Sequence, residues 1–385
     1  MSSITATAPG KIILFGEHAV VQGKTAIATS LSLRTKITLV ENQRDSLVLD
    51  LPDLPEFGKR EFSLDSIRNL PSFKESVEKL DGLVPTECNP KFISELNQLI
   101  DIKGLHTFLF LFCYITKCTR GFDIHLSSQL PIGSGLGSSA SFCVGICAVL
   151  LKAFNIYACG GCGQCCKTDN SVQASEQPCL PQLLLINQWS LQGEKIMHGT
   201  PSGIDNAVST LGKALTFTRK DGYKPLNYIP PLGILITDTK VSRSAKVLVE
   251  GVIQRQKKYP TLIDPVSNLI EQISNDCLQS FTKYQNDNDF QSLQETMELL
   301  FDMNHHLLVG GYGVGHFAID KVVSITKSHG LHSKLTGAGG GGCVITLLKP
   351  GFTQEQINQL KLDLKNAGFE SLEATVGDIG VSITY

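Results

Sequence analysis

The chain has 385 residues, 42% of them apolar, and its 34 basic side chains nearly balance 36 acidic ones. That length exceeds what a single compact core usually supports and predicts two domains, each with enough apolar residues to bury a core. Near-neutral charge without a Lys/Arg-rich block leaves no electrostatic footprint for nucleic acid or an anionic membrane, so a small molecule is the expected partner.

The N-terminus, MSSITATAPGKIILFG, lacks the basic, apolar and small-residue order of a signal peptide. The longest strongly apolar run, residues 105–116, falls short of the ~20 residues that span a bilayer, so a cytoplasmic protein with no membrane partner is expected. Over residues 5–40, apolar and polar positions alternate around Gly10, Gly16 and Gly23, which predicts paired strands joined by turns. Residues 90–118 repeat their apolar positions at helical spacing, and FDIHLSSQLP then alternates as a strand that runs into PIGSGLGSSAS. Residues 138–154 and 181–198 read as helices, and Ser202 holds the position of an N-cap for a short helix in GTPSGIDNAVSTLG.

The 12 cysteines are spread over a long chain with no secretion signal, and most read as free thiols, with Cys113, Cys143, Cys147 and Cys343 as small core residues. Cys159, Cys162, Cys165, Cys166 and Cys179 form a separate cluster in a Gly-, Ser- and Gln-rich segment. Its C-x2-C spacing admits zinc, but no second C-x2-C or H-x3-H follows, so composition favours a metal-free surface loop. Pro, Gly and Asn gather over residues 223–233 and mark a boundary between domains at 1–225 and 226–385. Beyond it, ILITDT is a strand, residues 245–258 a helix, and helical patterns continue to about Leu308. HSKLTGAGGGGCVITLLKP supplies a Gly-rich turn and a strand. TQEQINQLKLDLKNAG is a helix opened by a capping box, Thr353 with Gln356, and closed by Gly368, and VSITY is a last strand.

Four blocks carry candidate chemistry. PIGSGLGSSAS, residues 131–141, has three glycines and four serines between a strand and a helix, so backbone N–H groups can approach a phosphate while the helix N-terminus adds positive potential. No Gly-Lys-Ser/Thr follows, as in a P-loop, and no acidic residue closes a second strand, as in a dinucleotide fingerprint; alone, the block reads more readily as a plain loop. In APGKIILFGEHAVVQG, Lys11, Glu17 and His18 flank a short apolar strand and could orient a polar substrate, with solvated charges at a strand end as the ordinary reading. In GEKIMHGTPSGIDNAVST, Glu194 stands near the end of one helix and Asp205 in the first turn of the next. Magnesium takes hard oxygen ligands and few from protein, so Glu194 with the Ser139 hydroxyl is an adequate pair, and Asp205 remains for a substrate hydroxyl. Asp205 is equally explained as a carboxylate favoured by a helix dipole. In KLTGAGGGGCVITLL, four consecutive glycines permit backbone conformations closed to other residues, as a turn against a nucleotide or the first loop would need; a flexible turn is the alternative.

In this order and spacing the blocks resemble the signature motifs of the GHMP kinases, from Ala8 to about Ser382. APGKIILFGEHAVV differs from the Arg-Asn and GEHTDY pattern of galactokinases, and diphosphomevalonate decarboxylases lack the GEH element. With HGTPSGIDNAVST and LHSKLTGAGGGGCVITLLKPG, the blocks are most similar to the members that phosphorylate mevalonate. The resemblance implies a two-domain α/β (α+β) kinase, ribosomal-S5-like in its N-terminal domain and ferredoxin-like in its C-terminal one. It implies that Gly133, Ser134, Gly135, Leu136, Gly137, Ser138 and Ser139 hold the ATP phosphates and that Ser139 and Glu194 bind Mg2+. It further implies Asp205 as catalytic base with Lys11 beside it, and Lys11, Glu17, His18 and Asp205 at the mevalonate. A cytoplasmic homodimer inhibited by prenyl diphosphates belongs to the same expectation. The chain departs from the pattern in the cysteine segment and in TDTKVSRSAK, a loose match in which Arg243 is placed to reach the phosphates. Rival readings are another GHMP substrate, such as phosphomevalonate or a sugar, and an inactive sensor of ATP and a metabolite; Lys11, Glu194 and Asp205 argue against the sensor. A cysteine-rich metal adaptor rests on residues 159–179 alone.

Overall fold

The alternation near the N-terminus becomes two long antiparallel strands, β1 (Ser3–Phe15) and β2 (Ala26–Glu41), in a computed structural model that describes residues 3–53, 58–78, 80, 82–100, 104–131, 133–158 and 177–384. Of the expected metal-free cysteine loop, residues 159–179, the part over 159–176 lies outside the described residues. A hairpin of β3 (Ser46–Leu51) and β4 (Gly58–Ser63) leads through α1 (Leu64–Arg68), α2 (Pro90–Leu99) and α3 (Leu105–Thr116) to β5 (Phe122–Ser128). Next come α4 (Ser138–Ala153), α5 (Leu180–His198), α6 (Ile204–Leu211) and the hairpin β6 (Ala214–Thr218) and β7 (Gly222–Pro225). The second half holds β8 (Gly233–Asp238), α7 (Ala245–Lys258), α8 (Pro260–Asp287), α9 (Phe290–His306), α10 (Phe317–Ser328), β9 (His332–Leu335) and β10 (Cys343–Leu347). It ends with α11 (Gln354–Asn366), β11 (Glu370–Thr375) and β12 (Ser382–Thr384).

The first sheet runs β12-β1-β2-β5-β3-β4, with β6 and β7 added at the other end of β2; among the described residues only β3 and β5 pair in parallel. α3 is apolar on nearly every side and is buried at every position but His106, packed with α4 and α5 behind this sheet. The second sheet, β11-β8-β10-β9, is antiparallel. Along β8 the side chains alternate: Ile234 and Ile236 join an apolar seam with Ile12, Leu14 and Ile27 of the first domain, while Leu235 packs on the opposite face with α10 and α11. The chain passes from one sheet to the other between β7 and β8, within the expected boundary region, and β12 then returns to the first sheet. Arg34 anchors that return, donating to Asp378 at 2.8 Å and to the Gly380 carbonyl at 2.6 Å.

Local chemistry sets the helix starts. Asn89, Ser244 and Asp289 each accept a hydrogen bond from the first turn of their helix, and Thr353 and Gln356 form the expected capping box. The N-cap of α6 is Gly203 rather than Ser202, whose hydroxyl only reaches the Ile204 N–H at 3.4 Å. Among the described residues, no helix is long and apolar enough to cross a membrane.

Phe110 is fully buried, with its ring 4.5 Å from Tyr114 and 6.5 Å from Trp189. Phe110→Ala should cost about 3–5 kcal/mol of first-domain stability through lost burial and a residual cavity. A denaturant midpoint that stays at the wild-type value would show this core to be loosely packed.

Candidate active site

β5 ends at a loop that turns directly into α4. Gly133, Gly135 and Gly137 have φ of 72, 86 and 74°, in the left-handed region, while the residues between them do not. This alternation folds successive backbone N–H groups toward one side, the concave arrangement that binds anions. Gly137 is the N-cap of α4 and no side chain caps the helix, so its first N–H groups stay open to a ligand. Ser134 is tied back by a hydroxyl bond of 2.8 Å to the Pro131 carbonyl, and Leu136 is buried beneath the loop. A cavity of about 930 Å³ adjoins, with an apolar wall that includes Leu51, Leu126, Leu130 and Phe142 and polar groups from Ser138, Ser139 and His198. Its size and mixed lining suit a ligand as large as a nucleotide.

The pairing of β1 with β2 shifts register between Pro9 and Lys11, an irregularity of the kind that re-aims a side chain. The Lys11 N–H donates to the Leu136 carbonyl at 2.8 Å, which fixes the strand against the phosphate loop. Its ammonium lies 3.2 Å from Asp205 Oδ1 and 3.4 Å from the Gly135 carbonyl. Lys11 is nearly buried, whereas the Asp205 side chain is 36% exposed, so the carboxylate is the member of the pair that faces outward. Asp205 sits in the first turn of α6, at the positive end of the helix dipole.

Glu194, near the end of α5, is buried with only 4% of its side chain exposed. Burial pushes its carboxyl up to about 7; a Ser139 hydrogen bond opposes this, the Asp205 charge adds to it and Lys11 opposes it again. The Ser139 hydroxyl meets His198 Nε2 at 3.2 Å, and His198 Nε2 is 3.8 Å from Glu194 Oε2. One hydroxyl and one buried carboxylate beside a phosphate nest fit the hard-oxygen, phosphate-completed coordination of Mg2+. The described residues hold no cluster of three or more His, Cys, Asp or Glu side chains placed for a metal, and phosphate oxygens and water ordinarily complete the shell of a Mg2+ held by few protein groups.

Glu17 and His18 lie at the end of β1 but are engaged elsewhere. Both Glu17 oxygens are bonded within the second domain, one to Lys334 and the other to Asn304 at 3.0 Å, and the side chain has no exposed surface. It therefore supports the site from behind instead of meeting a substrate. His18 is buried, with Nε2 2.8 Å from the Ala338 carbonyl and Nδ1 without a partner. Arg243, from the loop before α7, donates to the Ser134 carbonyl at 3.2 Å and so bridges the second domain to the phosphate loop. Two residues here escaped the sequence reading. His198 carried a usable signal, since it follows Glu194 by four positions on one helix face. Lys334 carried none, because its partner is 317 residues away.

The raised Glu194 pKa fixes the sign of a pH effect. Its folded value of about 7 lies above the ordinary 4.5, so the folded state retains a proton that the unfolded chain releases. The stabilisation is complete below the lower value and is lost as pH rises through the upper one. Glu194→Gln, which is permanently neutral, should gain in melting temperature over wild type from about pH 5 to about pH 7 and hold that gain above it, without added Mg2+. A difference independent of pH would contradict the burial argument.

The chain matches the model of the GHMP kinases N terminal domain over residues 105–159 and that of the GHMP kinases C terminal over residues 276–367. A mevalonate kinase of Dictyostelium discoideum is 65% identical, the match covering 99% of this chain and 96% of the relative. A mevalonate kinase of Homo sapiens is 38% identical, with 98% and 94% covered. The crystal structure of the Methanococcus jannaschii mevalonate kinase shares the fold, with a TM-score of 0.70 over 97% of this chain and 98% of that one at 23% identity. With identity at these levels over nearly its whole length, the chain belongs to the mevalonate kinase family of the GHMP kinases.

Proposed function

We propose that this chain carries out its family's reaction: transfer of the γ-phosphoryl of ATP to the C5 hydroxyl of (R)-mevalonate, yielding 5-phosphomevalonate and ADP in the route to isoprenoids and sterols. The observation that carries the assignment of roles is the Lys11–Asp205 pair, held at 3.2 Å at the edge of an open phosphate nest. Residues 133–139 hold the ATP phosphates through backbone N–H groups and the α4 N-terminus. Ser139 and Glu194 would hold Mg2+, which when bound supplies charge neutralisation at the phosphate oxygens.

Asp205 accepts or orients the C5 hydroxyl proton as the oxygen attacks phosphorus and the bond to ADP breaks. Lys11 holds the Asp205 carboxylate in place through their 3.2 Å ion pair and offsets charge on the transferred group. Arg243, already at the Ser134 carbonyl, adds a second cation above the loop. Such a site works mainly by positioning and electrostatics, so each of these groups contributes by being fixed before substrates arrive. A cytoplasmic homodimer completes the reading on family resemblance.

Purified protein should release ADP with mevalonate and far less with phosphomevalonate, galactose or homoserine. Asp205→Asn and Lys11→Met should each lower kcat by ~10² to 10⁴-fold while changing nucleotide affinity much less, because the pair faces the acceptor and not ATP. Near wild-type kcat in Asp205→Asn would remove it as base. Binding of ATP without turnover of any GHMP substrate would favour the sensor. The nest and the apolar wall of the 930 Å³ cavity also suit a prenyl diphosphate in place of ATP. Farnesyl diphosphate should therefore raise the apparent KM for ATP; an effect on the KM for mevalonate alone would place it elsewhere.

A further inference from the structure

Three polar contacts tie the end of β1 to β9 and the Gly-rich turn that follows it. The Thr336 hydroxyl donates to the Ile13 carbonyl at 2.8 Å, the His18 ring meets the Ala338 carbonyl at 2.8 Å, and the Lys334 ammonium on β9 donates to the Glu17 carboxylate. The last is unlike the other two. Both side chains have 0% exposure, and the ammonium lies 5.6 and 5.9 Å from the ring centres of Phe15 and Phe301. Its second acceptor is its neighbour's carbonyl, Leu335, at 2.9 Å, while Asn304 from α9 donates to the remaining Glu17 oxygen at 3.0 Å. Burial pushes the Glu17 carboxyl up and the Lys334 ammonium down from their ordinary values, and the attraction between the two opposes both shifts.

A buried pair of this kind is a poor source of stability, because desolvation consumes most of the Coulombic gain and apolar replacements of similar volume are often neutral or better. What it does supply is a fixed geometry. Lys334 stands at the head of the turn that carries Ala338 and Gly342, and Arg243 lies so close over Gly342 that any side chain there would collide with its guanidinium. Arg243 in turn reaches the phosphate loop at Ser134. On the other side, Glu17 precedes His18, whose backbone is held at φ 58°, a conformation that costs a non-glycine residue energy and persists only where its surroundings impose it.

We infer that Lys334 and Glu17 are a positioning pair for phosphoryl transfer: they register the β1 end, with Lys11 and His18, against the Gly-rich turn and so hold Arg243 in place over the phosphate loop. The inference rests on the assignment of Lys11 and Asp205 to the acceptor side of that site. Neither member touches a substrate; both act through their neighbours.

The Glu17→Gln/Lys334→Met double variant tests it, since it removes both charges at nearly constant volume. A melting temperature within about 3 °C of wild type is expected. With that fold intact, kcat for mevalonate should fall ~10- to 100-fold, the order that a small misplacement of catalytic groups costs, while the dissociation constant of a non-hydrolysable ATP analogue stays within about threefold. Wild-type kcat at restored melting temperature would make the pair structural only and overturn the inference. If the double variant fails to fold, Glu17→Asp decides: it keeps both charges and shortens the reach by one methylene. A kcat loss of about tenfold with unchanged ATP affinity supports positioning, whereas an unchanged kcat, or equal losses in kcat and affinity, overturns it. Full activity in Asp205→Asn would instead remove the acceptor assignment, whatever the double variant does.

Discussion

The contact on which the rest of the candidate site depends is the 3.2 Å approach of Lys11 to Asp205. It joins elements far apart in the chain: the irregular end of β1 and the first turn of α6. The ammonium also touches the Gly135 carbonyl, so one buried cation organises the acceptor carboxylate and the phosphate loop together. Removing it would leave Asp205 with the helix dipole as its main electrostatic support and would free the loop from a polar anchor. The ordinary reading of Asp205 as a dipole-favoured carboxylate and the catalytic reading are therefore not competitors, since the helix terminus that suits a carboxylate is also what places it beside Lys11.

Asp205, Glu194 and Glu17 show how environment sets three carboxylates apart. Asp205 is partly exposed and paired, and it is available to a substrate. Glu194 is buried without a full counter-charge, which makes its ionised form costly and would let a bound divalent cation stabilise it strongly. Glu17 is buried with a complete set of partners and has nothing left to offer a ligand. The sequence presented all three alike, as acidic residues in Gly-rich blocks, because desolvation and partner count are properties of tertiary packing.

Legibility in the sequence followed the range of the interactions involved. The β1–β2 hairpin, the helix over Ala245–Lys258 and the Thr353–Gln356 box are fixed by neighbours in the chain, and each appears where periodicity and capping chemistry placed it, while the helical spacing over residues 90–118 resolves into two helices, α2 and the mostly apolar α3. β4 is short and mostly exposed, its residues GKREFS carrying no alternation, so only its pairing with β3 makes it a strand. β11 likewise owes its place to β8. The Ser202 misplacement by one residue arose because a serine is the better side-chain cap, yet the loop needs the left-handed backbone that Gly203 provides. The phosphate loop was readable as composition, but only its alternating φ angles distinguish a nest from a plain loop. The Lys334–Glu17 pair has no local signature at all.

The second Gly-rich block shows why composition alone left its alternatives open. Four consecutive glycines suggest flexibility, yet each of Gly339, Gly340, Gly341 and Gly342 takes a positive φ and each is hemmed in. An added Cβ would meet the Val314 carbonyl oxygen at 2.4 Å, the Leu248 side chain at 2.9 Å, Val241 at 2.6 Å and Arg243 at 1.8 Å in turn. Steric exclusion on this scale makes the turn a packed element with one shape. The glycines are there so that backbone can pass between α7 and the loop before it. That fixed shape is what allows the Ala338 carbonyl to serve as a partner for His18 and gives Arg243 a surface to lie on as it reaches Ser134. A flexible turn could not carry register from the second domain to the phosphate loop, so the rigidity of this block and the buried charge pair at its foot belong to the same positioning function.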